Sequence, residues 1–291
     1  MKAFGPQYGP DDSFKAAARL HQSKYRARVL AVDCSEYGNR LTDVDGRALL
    51  NYYDGLGVRE ALRQRYPQYS KKRDADLLRS EHIPFNMLAP LADRPVLART
   101  VIQDALGLEL GNPFTMKLEW APEPKHKYLG DMTSFDTYLQ GIDADGEMVG
   151  IGIEVKYTER GYRIGTSEAK RVRDPHSTYW TMTRESGLFL GDGSKDLAED
   201  DLRQIWRNHL LGLAMVRRND IARFVSVTLY PSGNKHFSCA LAKYQSHLKA
   251  NAQSSVLGCT FERYIESIHG DHEIEKWKQF LMERYLVEQP A

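Results

Sequence analysis

In the stretch MVGIGIEVKY, Met148 to Tyr157, an acid and a base stand two residues apart in text that otherwise reads as a buried strand. Side chains alternate faces along a strand. Val149, Ile151, Ile153, Val155 and Tyr157 therefore form one apolar face, and Gly150, Gly152, Glu154, Lys156 and Thr158 form the other. Glycines inside a strand mark a bulge or a close approach by another group, so the charged pair is expected beside space. The preceding turn decides its partner. If Ala144-Asp145-Gly146 is a three-residue loop with Gly146 left-handed, Asp143 pairs with Glu147 and Asp136 falls opposite Glu154. A two-residue loop at Asp145-Gly146 would pair Asp136 with Val155 and turn its side chain away. Two facing carboxylates repel unless a cation lies between them. Mg²⁺ takes oxygen ligands and commonly uses one or two carboxylates. A lysine on the same face can orient a water or stabilise charge developing on a phosphate. Asp136, Glu154 and Lys156 thus supply the parts for metal-assisted phosphodiester hydrolysis.

The elements that must hold these groups are legible around them. SFDTYLQGIDADGEMVGIGIEVKYTERGY reads as a hairpin with a short Asp/Gly turn. Strand-like text precedes it in PFTMKLEWAPEP and follows it in RFVSVTLYPSG, with the helix DDLRQIWRNHLLGLAMVRR between. Upstream lie helical segments, among them SFKAAARLHQSKYRARVL with Ser13 as its expected N-cap. Two amphipathic helices, CTFERYIESIHG and EIEKWKQFLMERYL, close the chain. This order predicts one mixed α/β domain with a helical N-terminal portion. Residues 1–75 are expected to pack on a core of residues 76–245, with 246–291 as C-terminal helices on the same core.

Composition excludes several classes. Lys plus Arg is 40 and Asp plus Glu is 39, so no global charge announces a partner. Cys34, Cys239 and Cys259 are widely spaced with no CxxC, which argues against a disulfide framework, a zinc ribbon or a four-cysteine cluster. No secretory signal and no apolar run of membrane-spanning length is visible, so a cytoplasmic location is the expectation.

SFDTYLQGI and GIEVKYTE resemble the PD-(D/E)XK nuclease superfamily, in which an acid at one strand's start is followed by D/E-x-K on the next. Asp136, Glu154 and Lys156 match these positions, although Ser134-Phe135 stand where the motif's proline would be. DLLRSEHIPFNMLAPL and RQIWRNHLL are similar to segments of a bacterial group of restriction endonucleases in that superfamily, with Glu81 where Gln is usual. The resemblance implies a restriction-endonuclease-like α/β core, a central mixed sheet flanked by helices, with helical N- and C-terminal additions. It implies a nuclease using Mg²⁺, for which Mn²⁺ can substitute, and acting on nucleic acid, DNA by expectation. Asp136 and Glu154 would hold the metal, with the Val155 carbonyl and Glu81 as further ligands. Cutting both strands of a duplex is most simply done by a homodimer.

Each signal has a plainer reading. Glu154 and Lys156 could form only a salt bridge on a solvated sheet face. Asp143-Ala-Asp145-Gly146 hints at a calcium loop, but turn chemistry explains it better. Gln204 and Asn208 lie one turn apart on a helix beside a core stripe, where they would meet a nucleotide or a metal-bound water, or simply tie down a loop. His209 reads as a satisfied core histidine. Lys170, Arg171, Arg173 and His176 precede Tyr179 and Trp180, a pattern suited to phosphate contacts and base stacking, or to a solvated basic loop. The basic run from Lys15 to Arg28 is a further DNA-facing candidate with the same alternative. A catalytically inactive DNA-binding or interaction protein on the same fold is the competing expectation for the whole chain.

Overall fold

The computed structural model describes residues 2–161 and 164–287. Tyr162, the last residue of the text read as a hairpin, lies outside them. The described residues build one five-stranded mixed sheet, with strands β1 (Gly111–Trp120), β2 (Phe135–Ile142), β3 (Met148–Val155), β4 (Arg223–Tyr230) and β5 (Val256–Thr260) in that spatial order. The first three run antiparallel to one another, and β4 and β5 join in parallel.

The β2–β3 turn takes the three-residue form. Gly146 is left-handed at φ 82°, and the Asp143 amide donates to the Glu147 carbonyl at 2.9 Å. Asp143 Oδ1 accepts from the amides of Asp145 and Glu147, both at 2.9 Å, so its carboxylate serves the turn. The ladder pairs Ile142 with Met148 through Thr137 with Ile153, the register that sets Asp136 against Glu154.

Both faces of β3 are buried. Val149, Ile151, Ile153 and Val155 pack into a core with the helices Ile83–Ala92, Pro95–Leu106 and His272–Tyr285. On the glycine face there is no space beside Gly150 and Gly152. A Cβ at Gly152 would lie 2.5 Å from the Phe135 ring, and one at Gly150 would lie 2.8 Å from the Tyr138 hydroxyl. These rings join a second core under the helix Arg203–Arg217. The face opens only at Glu154, where a cleft begins.

Three expectations are corrected here. The segment 246–291 is not helix alone: Val256–Thr260 forms β5, because Val256 and Cys259 bury against neighbouring core. The N-cap of the first long helix, Ser13–Tyr25, is Asp12, whose side chain accepts from the Lys15 amide at 3.0 Å. The basic run along that helix is not a DNA-facing row. Arg19 is buried against Asp11 and Asn39, and Arg26 donates to the carbonyls of Ala3 and Gly38.

Candidate active site

Glu154, at the end of β3, is 9% exposed and forms part of the wall of a cleft of about 580 Å³. Its carboxylate is held from three directions. Lys156 Nζ donates to Oε1 at 2.7 Å, Gln204 Nε2 donates to the same oxygen, and Asn208 Nδ2 donates to Oε2 at 2.8 Å. Gln204 and Asn208 sit one turn apart on the helix Arg203–Arg217, which packs on β3 and β4. That helix comes close because residue 212 is glycine: a Cβ there would fall 2.0 Å from the Phe224 ring. The pair expected to meet a nucleotide or a metal-bound water thus spends its amides on Glu154. Physically, a nearly buried carboxylate demands donors, and these are the nearest.

Asp136 stands at the start of β2, where the regular ladder to β3 has ended. Its Oδ2 accepts from the Val155 amide at 2.7 Å, a side-chain substitute for a ladder bond. Val155, expected as a carbonyl ligand, meets Asp136 through its N–H. Burial, followed by the charges of Glu154 and Glu119, pushes the Asp136 carboxyl well above its ordinary range. Burial works against the charge on Lys156, yet Glu154 and Asp136 outweigh it and raise its pKa. Lys156 therefore stays an ammonium ion between carboxylates.

Glu159 extends the arrangement. Its carboxylate accepts from the amides of Ser80 at 3.0 Å and of Tyr157 and Thr158 at 3.1 Å. Burial opposes ionisation there, but Lys156 and these amides prevail and lower its pKa. Nothing in the spacing of Glu159 marks it, since three residues beyond a lysine is an ordinary distance.

Glu81 reaches the cleft wall from the short helical turn Ser80–His82, but its carboxylate pairs with Arg79 at 2.7 Å and is half exposed. A different acid faces the same cleft. Glu119, near the end of β1, has a left-handed backbone at φ 47° and accepts from the Tyr66 hydroxyl at 2.9 Å. Burial raises its carboxyl above the ordinary range against the pull of that hydroxyl, and the charge of Glu154 adds to the rise. Sequence reading passed over it, because Glu in a strand alternating with Lys117 reads as a solvated edge.

The basic-aromatic segment divides. Tyr179 and Trp180 are core residues on the helix Thr178–Glu185, packed on Trp206 with ring centroids at 5.5 and 4.7 Å. They offer no face for base stacking, because their area is worth more against the helix behind them. Arg171 donates to the carbonyls of Leu129 and Gly130 and so anchors that loop. Lys170 and Arg173 remain exposed. His209 is fully buried between the Tyr244 hydroxyl at 3.0 Å and Ser255 Oγ at 3.1 Å, a core histidine.

A family model described as the PD-(D/E)XK nuclease superfamily matches residues 9–287, nearly the whole chain. The chain belongs to the PD-(D/E)XK nuclease superfamily. A comparison with curated proteins and one with solved structures each find no match. Asp136, Glu154 and Lys156, the residues expected from the sequence to carry the motif, line one cleft. The carboxylate oxygens of Asp136 and Glu154 are of the kind a hard divalent cation such as Mg²⁺ takes. Among the described residues no three His, Cys, Asp or Glu side chains form a ready-made cage.

Proposed function

We propose that the protein is a metal-dependent nuclease that hydrolyses phosphodiester bonds, with DNA as its substrate. The observation that carries this reading is the meeting of Asp136, Glu154 and Lys156 in one cleft, with Gln204 and Asn208 fixing the Glu154 carboxylate. Asp136 and Glu154 are the residues to hold Mg²⁺ or Mn²⁺, with the carbonyl of Val155, next to Glu154 in the chain, as a further ligand. When bound, the cation supplies charge neutralisation at the phosphate and an acidified water. Lys156 holds a proton on Nζ throughout, orients the attacking water and offsets charge building on the phosphate oxygens. Gln204 and Asn208 keep Glu154 from turning away. Lys170 and Arg173 are exposed cations for the backbone of a bound strand. Among the described residues no helix is long and apolar enough to cross a membrane, and we place the protein in the cytoplasm, where DNA is within reach. A pair of copies would serve to cut both strands of a duplex.

One observation favours a catalytically silent nucleic-acid-binding protein on the same fold. Lys156 already caps Glu154 Oε1, as a permanent internal salt bridge would. Against it, a carboxylate offers about four acceptor positions, and the bonds from Lys156, Gln204 and Asn208 use three.

The deciding experiment incubates plasmid, single-stranded DNA and RNA with wild type, Glu154→Gln and Lys156→Ala, in Mg²⁺, Mn²⁺ or EDTA. Metal-dependent cleavage of DNA by wild type alone is the expected result. Equal cleavage by Glu154→Gln would overturn the mechanism, and binding without cleavage by wild type would favour the silent reading.

A further inference from the structure

Arg73, Arg79, Lys156, Arg160 and Arg207 bring positive charge to the cleft wall. Four of them are committed elsewhere. Arg73 is buried in a two-point bond to Asp74 at 2.7 and 2.8 Å, and Lys156 is held on Glu154 at 2.7 Å. Arg207 donates to Glu168 at 3.1 Å and to Thr133 Oγ1 at 2.8 Å. Arg160 pairs at 3.2 Å with Asp12, the cap of the helix Ser13–Tyr25, which lies outside the cleft lining. Arg79 differs. Its partner Glu81, at 2.7 Å, lines the same cleft and makes no other hydrogen bond or ion pair among the described residues.

The backbone beneath Arg79 is fixed. The Arg79 amide donates to the Asp76 carbonyl at 3.2 Å, and the next amide, Ser80, donates to Glu159 Oε1 at 3.0 Å. Glu159 follows Lys156 by three residues, so this bond ties the root of Arg79 to the segment that carries the motif lysine. The two side chains above it are loosely held, with Arg79 41% and Glu81 50% exposed. An exposed ion pair contributes little, because water screens it and both chains lose rotamer freedom. A guanidinium carries five N–H donors and meets a phosphate two at a time. Glu81 takes a single bond from Nη2, and Nε is buried with no protein acceptor. The resting pair therefore leaves most of this donor capacity unspent, beside the acids expected to work on a phosphate.

We infer that Arg79 grips a phosphate of the DNA strand that enters the cleft, and that Glu81 is its resident counter-ion, displaced when the phosphate arrives. This rests on the nuclease reading of the cleft and names how the substrate is held there. It also reverses the sign of Glu81. As a metal ligand, Glu81 would aid the substrate; as a counter-ion on Arg79, it competes with the substrate and acts as a positioning residue.

The test measures anisotropy of a fluorescent DNA duplex in EDTA, so that no strand is cut, over a range of salt concentrations. The proteins are wild type, Arg79→Ala, Glu81→Gln, the double variant, and Glu60→Gln as a charge control. Glu60 is exposed beside Arg63 on the helix Val58–Arg65, outside the cleft lining. Arg79→Ala is expected to weaken binding roughly tenfold, and to lower the slope of log affinity against log salt by about one. Glu81→Gln should tighten binding by about two- to fivefold, beyond any change in Glu60→Gln. In the Arg79→Ala background, Glu81→Gln should do no more than Glu60→Gln does. The inference is overturned if Glu81→Gln weakens binding, if it tightens binding equally without Arg79, or if Arg79→Ala keeps the wild-type slope. Duplex binding that is indifferent to both residues removes the inference and leaves the nuclease reading in place. Absence of duplex binding by wild type removes that reading, and the inference with it.

Discussion

Asn208 donates to Glu154 Oε2 at 2.8 Å across 54 positions of sequence. With the Gln204 bond to the other oxygen, it joins a helix after the motif to the motif's second acid. Such support holds a carboxylate in one orientation.

Removing this clasp should therefore cost function and spare the fold. Asn208→Ala, and Gln204→Ala in parallel, are expected to slow single-turnover DNA cleavage by about 10- to 100-fold. Thermal unfolding should move by only a few degrees. Wild-type rates in the double variant would show that Glu154 needs no support.

The close seat of the supporting helix gives a second expectation. Gly212→Ala would drive a methyl group to within 2.0–2.1 Å of the Phe224 ring. Overpacking of this kind costs about 1–3 kcal/mol, and it lifts Gln204 and Asn208 away from Glu154. Chemical denaturation should record the loss. Adding Phe224→Leu should recover most of it by vacating ring volume, and no recovery in the double variant would place the strain elsewhere.

Acid should unfold the protein partly through its core histidines. Burial holds His209 down to about 3 in the folded chain, against an ordinary value near 6.5. Burial and the charges of Arg284 and Arg79 push His82 the same way. A base with a depressed folded pKa gives stability that is complete above its unfolded value. It is lost as pH falls below about 6.5, because the unfolded chain takes up the proton first. His209 alone should then remove up to about 1.4 kcal/mol per pH unit below that point. Urea midpoints at pH 7.5 and 5.5 should separate more for wild type than for His209→Gln. Parallel pH dependence in the two proteins would refute the assignment.

What the sequence by itself determined was local. The alternation from Val149 to Thr158 has a period of two and sorts Glu154 and Lys156 onto one face wherever the strand lies. The turn Asp143–Glu147 has its geometry set by Gly146 and by the Asp143 carboxylate, so the register that aligns Asp136 with Glu154 is written within twenty residues. Tertiary structure decided the rest, because it depends on which distant surfaces meet. Tyr179 and Trp180 suit a stacking platform or a core equally well, and only Trp206 behind them settles the matter. Gln204 and Asn208 are donors in search of an acceptor, and the close approach permitted at Gly212 hands them Glu154. Glu81 and Glu119 are both acids near a predicted site. Arg79 claims the first, and the cross-strand position of β1 brings the second beside Asp136. Periodicity and turn chemistry act over a few bonds and can be read in order along the chain. Burial, charge pairing and helix seating are properties of neighbours far apart in sequence, and only the fold chooses them.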